Sequence, residues 1–477
     1  MIGWVILALV VAFFALLLVR AIRFQPQSRP VAADEALTVD TDAAAARLQA
    51  LIRCKTVSYP DAQGEDKAEF DKLKQTLREL YPRLHSVAEA EEIGDKGVLL
   101  HWKGSEAGAP TLLMAHYDVV PVQEDDWEQP PFAGNIVDGV LWGRGTLDTK
   151  GTLHGILEAA EALAEQGFTP KHDVYLAFAG DEEVMGHGAH DIVETLKARG
   201  VRPELVLDEG GAVVEKVFPG VKPPCAVVGV AEKGSINVDL TATAKGGHAS
   251  APAPHTALGL LGRAMARVES KPFPAHFTAP ALAMFDTLGR HSSLGMRLIF
   301  ANLWCFKPLL NLICVKSGGE MNALVRTTCA FTRAQGSAGY NVLEREATVG
   351  ANLRIQCGES IEGTLKRLKR VIGDERVQVT LKGGSESSGI SRMNDAPWER
   401  LSSAIRRSFP DAIVSPYLML ACSDSRHYDA ICDHVYRFSG MRLSKEERGL
   451  IHNANERMML KTIPQTIAFF ARVLKDC

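Results

Sequence analysis

Three short apolar runs, at residues 111–115, 174–179 and 205–207, each give way at once to acidic or imidazole side chains. The runs alternate with helical patterns such as residues 152–166, and that alternation predicts an α/β sheet with largely parallel strands. In such a sheet the binding crevice lies beyond the carboxyl ends of the strands, so groups far apart in sequence converge there. The groups here are His116 and Asp118, then Asp181, Glu182 and Glu183, then Asp208 and Glu209. Asp148 joins them in Gly143-Arg-Gly-Thr-Leu-Asp148-Thr-Lys-Gly151, just ahead of a helix.

Several carboxylates in one crevice repel each other unless a cation holds them, and carboxylate with imidazole suits zinc, manganese or cobalt. Two divalent ions carry four positive charges, which three ligating carboxylates and one hydroxide balance, so a two-metal site is expected over a one-metal site. Other chemistries lack their signatures. No GxGxxG or P-loop follows the first strand, and neither GxSxG nor HExxH occurs. A formal net charge of -4 with mixed signs gives no basic excess for nucleic acid.

The chain has 477 residues, 46% of them hydrophobic, enough for two packed domains. A second pattern begins near Val230, where residues 235–243 alternate polar and apolar as a half-buried strand does. Strands are expected at 327–332, 347–355 and 377–381, with a helix at 361–372. The expected architecture is therefore a mainly parallel α/β catalytic domain in two parts, 38–229 and 386–477, interrupted by an inserted α+β domain at 230–385. The sheet domain resumes near Ser391 and runs through 435–438 to a C-terminal helix. Inside the insert, residues 298–315 are apolar but broken by Lys307 and Pro308; they read as a buried helical hairpin or as a surface for lipid or a long acyl chain.

Residues 2–19 form an unbroken apolar run, about the length that crosses a bilayer as a helix, without the features of a cleavable signal. Residues 1–24 are thus expected to be a transmembrane anchor and 25–37 a polar tether. Arg20, Arg23 and Arg29 flank the run on its C-terminal side, which favours a cytoplasmic body. Nine cysteines without a CxxC pair, and no N-x-[ST] sequon, lean the same way.

Several stretches together resemble the metallopeptidase family that includes bacterial glutamate carboxypeptidase, the aminoacylases, succinyl-diaminopimelate desuccinylase and yeast carboxypeptidase S. They are Met114-Ala-His-Tyr-Asp-Val-Val-Pro121, Trp142-Gly-Arg-Gly-Thr-Leu-Asp-Thr-Lys-Gly151, Gly180-Asp-Glu-Glu183, Leu207-Asp-Glu-Gly-Gly211, Gly246-Gly-His-Ala-Ser250 and Ile451-His-Asn-Ala-Asn-Glu456. The apolar N-terminus and Ser423-Asp-Ser-Arg-His-Tyr428 look most like the carboxypeptidase S branch, which includes the mammalian N-fatty-acyl-amino-acid synthase/hydrolase.

The resemblance implies that Asp148 bridges two metals, most simply zinc, with His116 and Asp208 completing one shell and Glu183 and His452 the other. Glu209 is the rival to Asp208. Glu182 is then the general base and Asp118 orients His116 through its second ring nitrogen. The insert becomes a lid and dimerisation domain, its His248 reaching the oxyanion in a partner subunit, so a homodimer is implied. Asn341 and Arg354 resemble lid residues that bind substrate, Arg354 by a bidentate grip on a carboxylate, and Arg426 is a further pocket candidate. Relatives often carry Pro where Glu344 stands, which puts the loop of Asn341 in question.

The implied activity is hydrolysis of the amide bond next to a free carboxylate in peptides or N-acyl amino acids, as a carboxypeptidase or aminoacylase does. N-fatty-acyl-amino-acid hydrolysis or synthesis is the narrower alternative. A non-catalytic membrane-tethered binding protein is the remote one, and the presence of every expected ligand and the base speaks against it.

Overall fold

The computed structural model describes residues 1–26, 37–216, 218 and 220–477. Most of the expected tether, including Arg29, lies outside the described residues.

Ten strands form the larger sheet. At its centre Val174–Ala179, Thr111–His116, Leu205–Asp208 and Val435–Arg437 lie side by side and parallel. Every residue of Val174–Ala179 and Thr111–His116 is buried. Helices cover both faces of these strands, which is why they read as continuous apolar runs and not as alternations. Leu112 and Met114 pack with the helix Gly188–Ala198, whereas Leu113 and Ala115 face the core of Lys150–Glu165 and Thr462–Lys475.

At one edge the sheet carries an antiparallel pair, Ala88–Ile93 and Gly97–Trp102, that the sequence pattern did not reveal. Its outer strand reads Ala-Glu-Ala-Glu-Glu-Ile and is half exposed, so no apolar run marks it. Acidic residues on an exposed edge also block pairing with other chains. Near Ser391, whose N–H donates to the Val230 carbonyl at 2.8 Å, the chain returns to the larger sheet, adding the helix Ala396–Ser408 and then the strand Ile413–Met419, parallel to Cys225–Glu232.

A second sheet is fully antiparallel, in the order Thr328–Gln335, Glu346–Ile355, Gly234–Thr243, Val377–Ser385. With the helices Ala257–Ser270 and Ile361–Ile372 it encloses its own core around Ile236, Val238, Leu240, Leu261, Leu353 and Leu368. Residues 230–385 do not all pack there, however. The helices Ala279–Arg290, Leu294–Phe300 and Leu303–Ser317 send Met284, Phe285, Leu288, Phe300, Leu310 and Cys314 into the core of the larger sheet.

Of the two readings of residues 298–315, the buried hairpin is overturned. Leu294–Phe300 and Leu303–Ser317 meet at a bend of 107°, and Trp304, Leu309, Leu312, Ile313 and Val315 face outward. Sequence hydrophobicity alone cannot separate a helix buried in protein from one that keeps an apolar face outside. The N-terminal helix Ile2–Arg23 is long and apolar enough to cross a membrane, and only Leu17 and Ala21 of it are buried.

Candidate metal centre

The strand ends deliver their polar groups to one crevice because the local backbone leaves no alternative. Thr111–His116 ends at His116, and the next turn buries Asp118 completely. Asp118 then acts as a hub. Its Oδ1 lies 3.2 Å from His116 Nδ1, and its two oxygens accept the N–H groups of Glu182 and Glu183, both at 3.1 Å. Ser58 Oγ donates to it at 2.7 Å. One carboxylate thus fixes the ring of His116 and the turn Glu182–Val184 together. Gly180 precedes that turn, and a Cβ there would fall 2.4 Å from the Tyr117 ring. Asp181, acidic in the same run, is not part of the cluster: its carboxylate accepts the N–H groups of His187 and Gly188 and caps the following helix.

Asp148 occupies the middle. Its Oδ1 lies 3.0 Å from His116 Nε2 and its Oδ2 lies 3.0 Å from His452 Nε2. On one side Glu209 Oε1 approaches His116 Nε2 at 3.2 Å; on the other Glu183 Oε2 approaches His452 Nε2 at 3.0 Å. Ligand atoms of His116, Asp148 and Glu183 all lie within 4.8 Å of one another. The structure separates the rival acids Asp208 and Glu209 by their contacts. Asp208 Oδ2 accepts the N–H of Ser425 at 3.1 Å, and Glu209 is the carboxylate beside His116.

The donor set fits divalent cations. Burial pushes the Glu182 carboxyl well above the usual carboxylate range, with Asp424, Glu209 and Glu183 adding to the effect of burial and His116 opposing it. Burial also raises Glu183, and lifts Glu209 to about 7 against the pull of His116. Asp148 goes the other way: burial would raise it, but hydrogen bonds from His116 and His452 hold it below the usual range. Those bonds in turn raise His452 to about 10, Asp148 first and Glu183 second. Carboxylates that draw protons onto themselves and their histidines are short of positive charge, and the buried Glu183 Oε1 has no hydrogen-bond partner among the described residues.

Glu456 is the residue whose importance the sequence did not reveal. Fully buried, it accepts the N–H groups of Gly145, Leu147 and Asp148 at 3.1, 2.7 and 3.2 Å, and the Arg144 guanidinium at 2.6 Å. Gly145 has φ +92°, and a Cβ there would press on Val119 at 2.9 Å. Arg144 Nη2 also donates to the carbonyl of His452 at 3.2 Å, where the backbone has φ +64°. The loops bearing Asp148 and His452, 304 positions apart (452 − 148), are thereby tied into one piece. The available signal was the acid at the end of Ile451-His-Asn-Ala-Asn-Glu456, but composition alone makes it a surface residue.

The remaining candidates lie apart from the cluster. His248 sits on the short exposed strand Gly247–His248, paired with Val342–Leu343, and its Nδ1 is bonded to Ser250. Asn341 is exposed beside it, its carbonyl accepting the N–H of Ala249 at 2.9 Å. Arg354, at the end of Glu346–Ile355, donates to Asn352 at 3.1 Å and to Cys422 Sγ at 3.4 Å. It has no carboxylate partner among the described residues. Arg426 is half-buried, its Nη1 on the Ser423 carbonyl at 2.6 Å and its Nη2 3.7 Å from Asp424.

Residues 112–476 match the model of peptidase family M20/M25/M40. The chain is similar to the probable carboxypeptidase S-like 2 of Dictyostelium discoideum, 34% identical over 98% of this chain and 92% of that one. It is also similar to the N-fatty-acyl-amino acid synthase/hydrolase of Xenopus tropicalis, 34% identical over 90% of this chain and 85% of that one. In fold it resembles an M20 family metallo-carboxypeptidase from Sulfolobus solfataricus, with TM-score 0.65 and 16% identity over 92% of this chain and 99% of that one.

Proposed function

The chain belongs to peptidase family M20/M25/M40, a family of metallopeptidases, and from that premise we propose that it hydrolyses the amide bond beside a free carboxylate in peptides or N-acyl amino acids. One observation carries the reading: each oxygen of Asp148 faces a different histidine, and each histidine has a further carboxylate beside it. Asp148, His116 and Glu209 would hold one divalent ion, and Asp148, His452 and Glu183 the other, zinc being the simplest choice. When bound, such ions acidify a water molecule towards pKa ~7 and polarise the scissile carbonyl.

Glu182 is the general base. Its backbone is pinned by Asp118, and burial raises its carboxyl well above the usual carboxylate range, which strengthens it as a proton acceptor. It takes the proton from water as the oxygen adds to the amide carbon. The carbon–nitrogen bond then breaks, and Glu182 returns that proton to the leaving amine. Arg354, without an ion partner among the described residues, grips the substrate carboxylate, with Asn341 and Arg426 at the margins of the pocket. His248, on the exposed strand Gly247–His248, serves the oxyanion of a partner subunit in a homodimer.

The Xenopus relative's name supports a long acyl chain as the second reading of the substrate. Ile2–Arg23 is a single-pass anchor, and Arg20 and Arg23 behind it favour a cytoplasmic body. A panel of dipeptides and N-acyl amino acids of increasing acyl length, assayed before and after chelation, tests the function. Cleavage of carboxylate-bearing amides that stops on chelation is expected. Equal cleavage of the corresponding methyl esters would remove Arg354 from its role.

A further inference from the structure

Leu303–Ser317 is amphipathic in the wrong sense for a helix lying on a protein in water. Leu310 and Cys314 face the core, while the outward face carries Trp304, Pro308, Leu309, Leu312, Ile313 and Val315, with Trp304 56% and Leu312 50% exposed. A water-facing stripe should be polar. A contiguous apolar patch marks contact with another apolar phase.

The neighbouring element identifies that phase. Arg20 donates through Nε and Nη2 to the Ala301 carbonyl at 3.2 and 3.0 Å and through Nε to Asn302 Oδ1 at 3.0 Å. Asn302 Nδ2 returns a bond to the Leu17 carbonyl at 3.1 Å. Further up the N-terminal helix, the Phe13 and Trp304 rings meet edge to face with centroids 6.1 Å apart. Seven residues at 1.5 Å each put Phe13 about 10 Å from Arg20 along the axis. Trp304 therefore lies about that far to the apolar side of the arginine that closes the run, well within a hydrocarbon layer roughly 30 Å thick. Lys307 and Lys316, both exposed, supply cations for the phosphate level.

We propose that Leu303–Ser317 lies part-embedded in the bilayer leaflet next to the body, beside the N-terminal anchor, so that the hydrolase is held to the membrane by two elements and not by a free tether. The proposal rests on the anchor reading of Ile2–Arg23 given above. It fixes the orientation of the body, since a single helix leaves rotation free and a second contact removes it.

The full-length protein, reconstituted in phosphatidylcholine–phosphatidylglycerol vesicles with brominated acyl chains, provides the test. Of its six tryptophans, Trp4 reports the anchor and Trp304 the second helix. Wild type, Trp304→Phe and Trp4→Phe are compared for the emission that bromine quenches. Each substitution is expected to remove its own share of the quenched emission. If Trp304→Phe leaves the quenched emission unchanged while Trp4→Phe reduces it, the second contact is refuted and the anchor stands; a face covered by a second copy of the chain gives this result. If neither substitution matters, the anchor reading fails as well.

Discussion

Replacing Glu456 with Gln tests how the metal centre is assembled, because the change keeps shape and removes only charge and acceptor capacity. The side chain is fully buried and receives three backbone N–H groups and the Arg144 guanidinium, itself only 2% exposed. In Glu456→Gln that guanidinium loses its counterion in the interior, and an amide NH2 group faces donors. Breaking a buried pair from one side costs about 3–5 kcal/mol. At an unfolding entropy of about 2.1 cal/mol/K per residue, such a loss lowers the Tm of a body of this size by about 3–5 °C. The loop 144–148 also loses the tie that orients Asp148, and losing such support weakens metal binding by about 10- to 100-fold. Melting of the detergent-solubilised protein by near-ultraviolet circular dichroism gives the first quantity, and metal content against a competing chelator gives the second. A variant that melts within about 2 °C of wild type and holds its metal equally well would refute the reasoning.

Glu182→Gln is expected to lower kcat by at least about 100-fold while metal content stays at the wild-type level; loss of metal with activity would instead make Glu182 a ligand. Glu209→Gln should cost metal and activity more than Asp208→Asn, because of these two acids it is Glu209 that contacts His116 Nε2; the reverse order, read by metal analysis, would restore the aspartate as ligand. Burial would raise Glu158, but the hydrogen bonds of Arg47 and His154 hold it at about 2. A depressed carboxylate stabilises the fold above its unfolded pKa of about 4.3. The Tm gap between chelated wild type and chelated Glu158→Gln should therefore be full near neutrality and close as the pH falls from about 4.3 towards 2; a gap that widens in acid would contradict the pairing.

What could be read from the sequence followed the physics of burial. Strands covered on both faces announce themselves as apolar runs, so Thr111–His116, Val174–Ala179 and Leu205–Asp208, and the acids and imidazole that follow them, were legible. Ala88–Ile93 was not, because an exposed edge strand needs no apolar pattern. His452 reached the candidate list only through family resemblance, since a lone histidine after a long interruption carries no period or spacing. The choice between Asp208 and Glu209 turns on the direction in which one strand ends, which residue types do not encode. The outward apolar face of Leu303–Ser317 has the composition of a buried helix, and only its neighbours distinguish the two cases.

Metal stoichiometry measured alongside activity during titration with a chelator tests the central claim most directly. About two equivalents of divalent ion per chain are expected, with activity falling as they leave and returning when zinc, cobalt or manganese is restored. Full turnover by protein stripped of divalent ions would contradict the claim that the side chains gathered around Asp148 work by holding them.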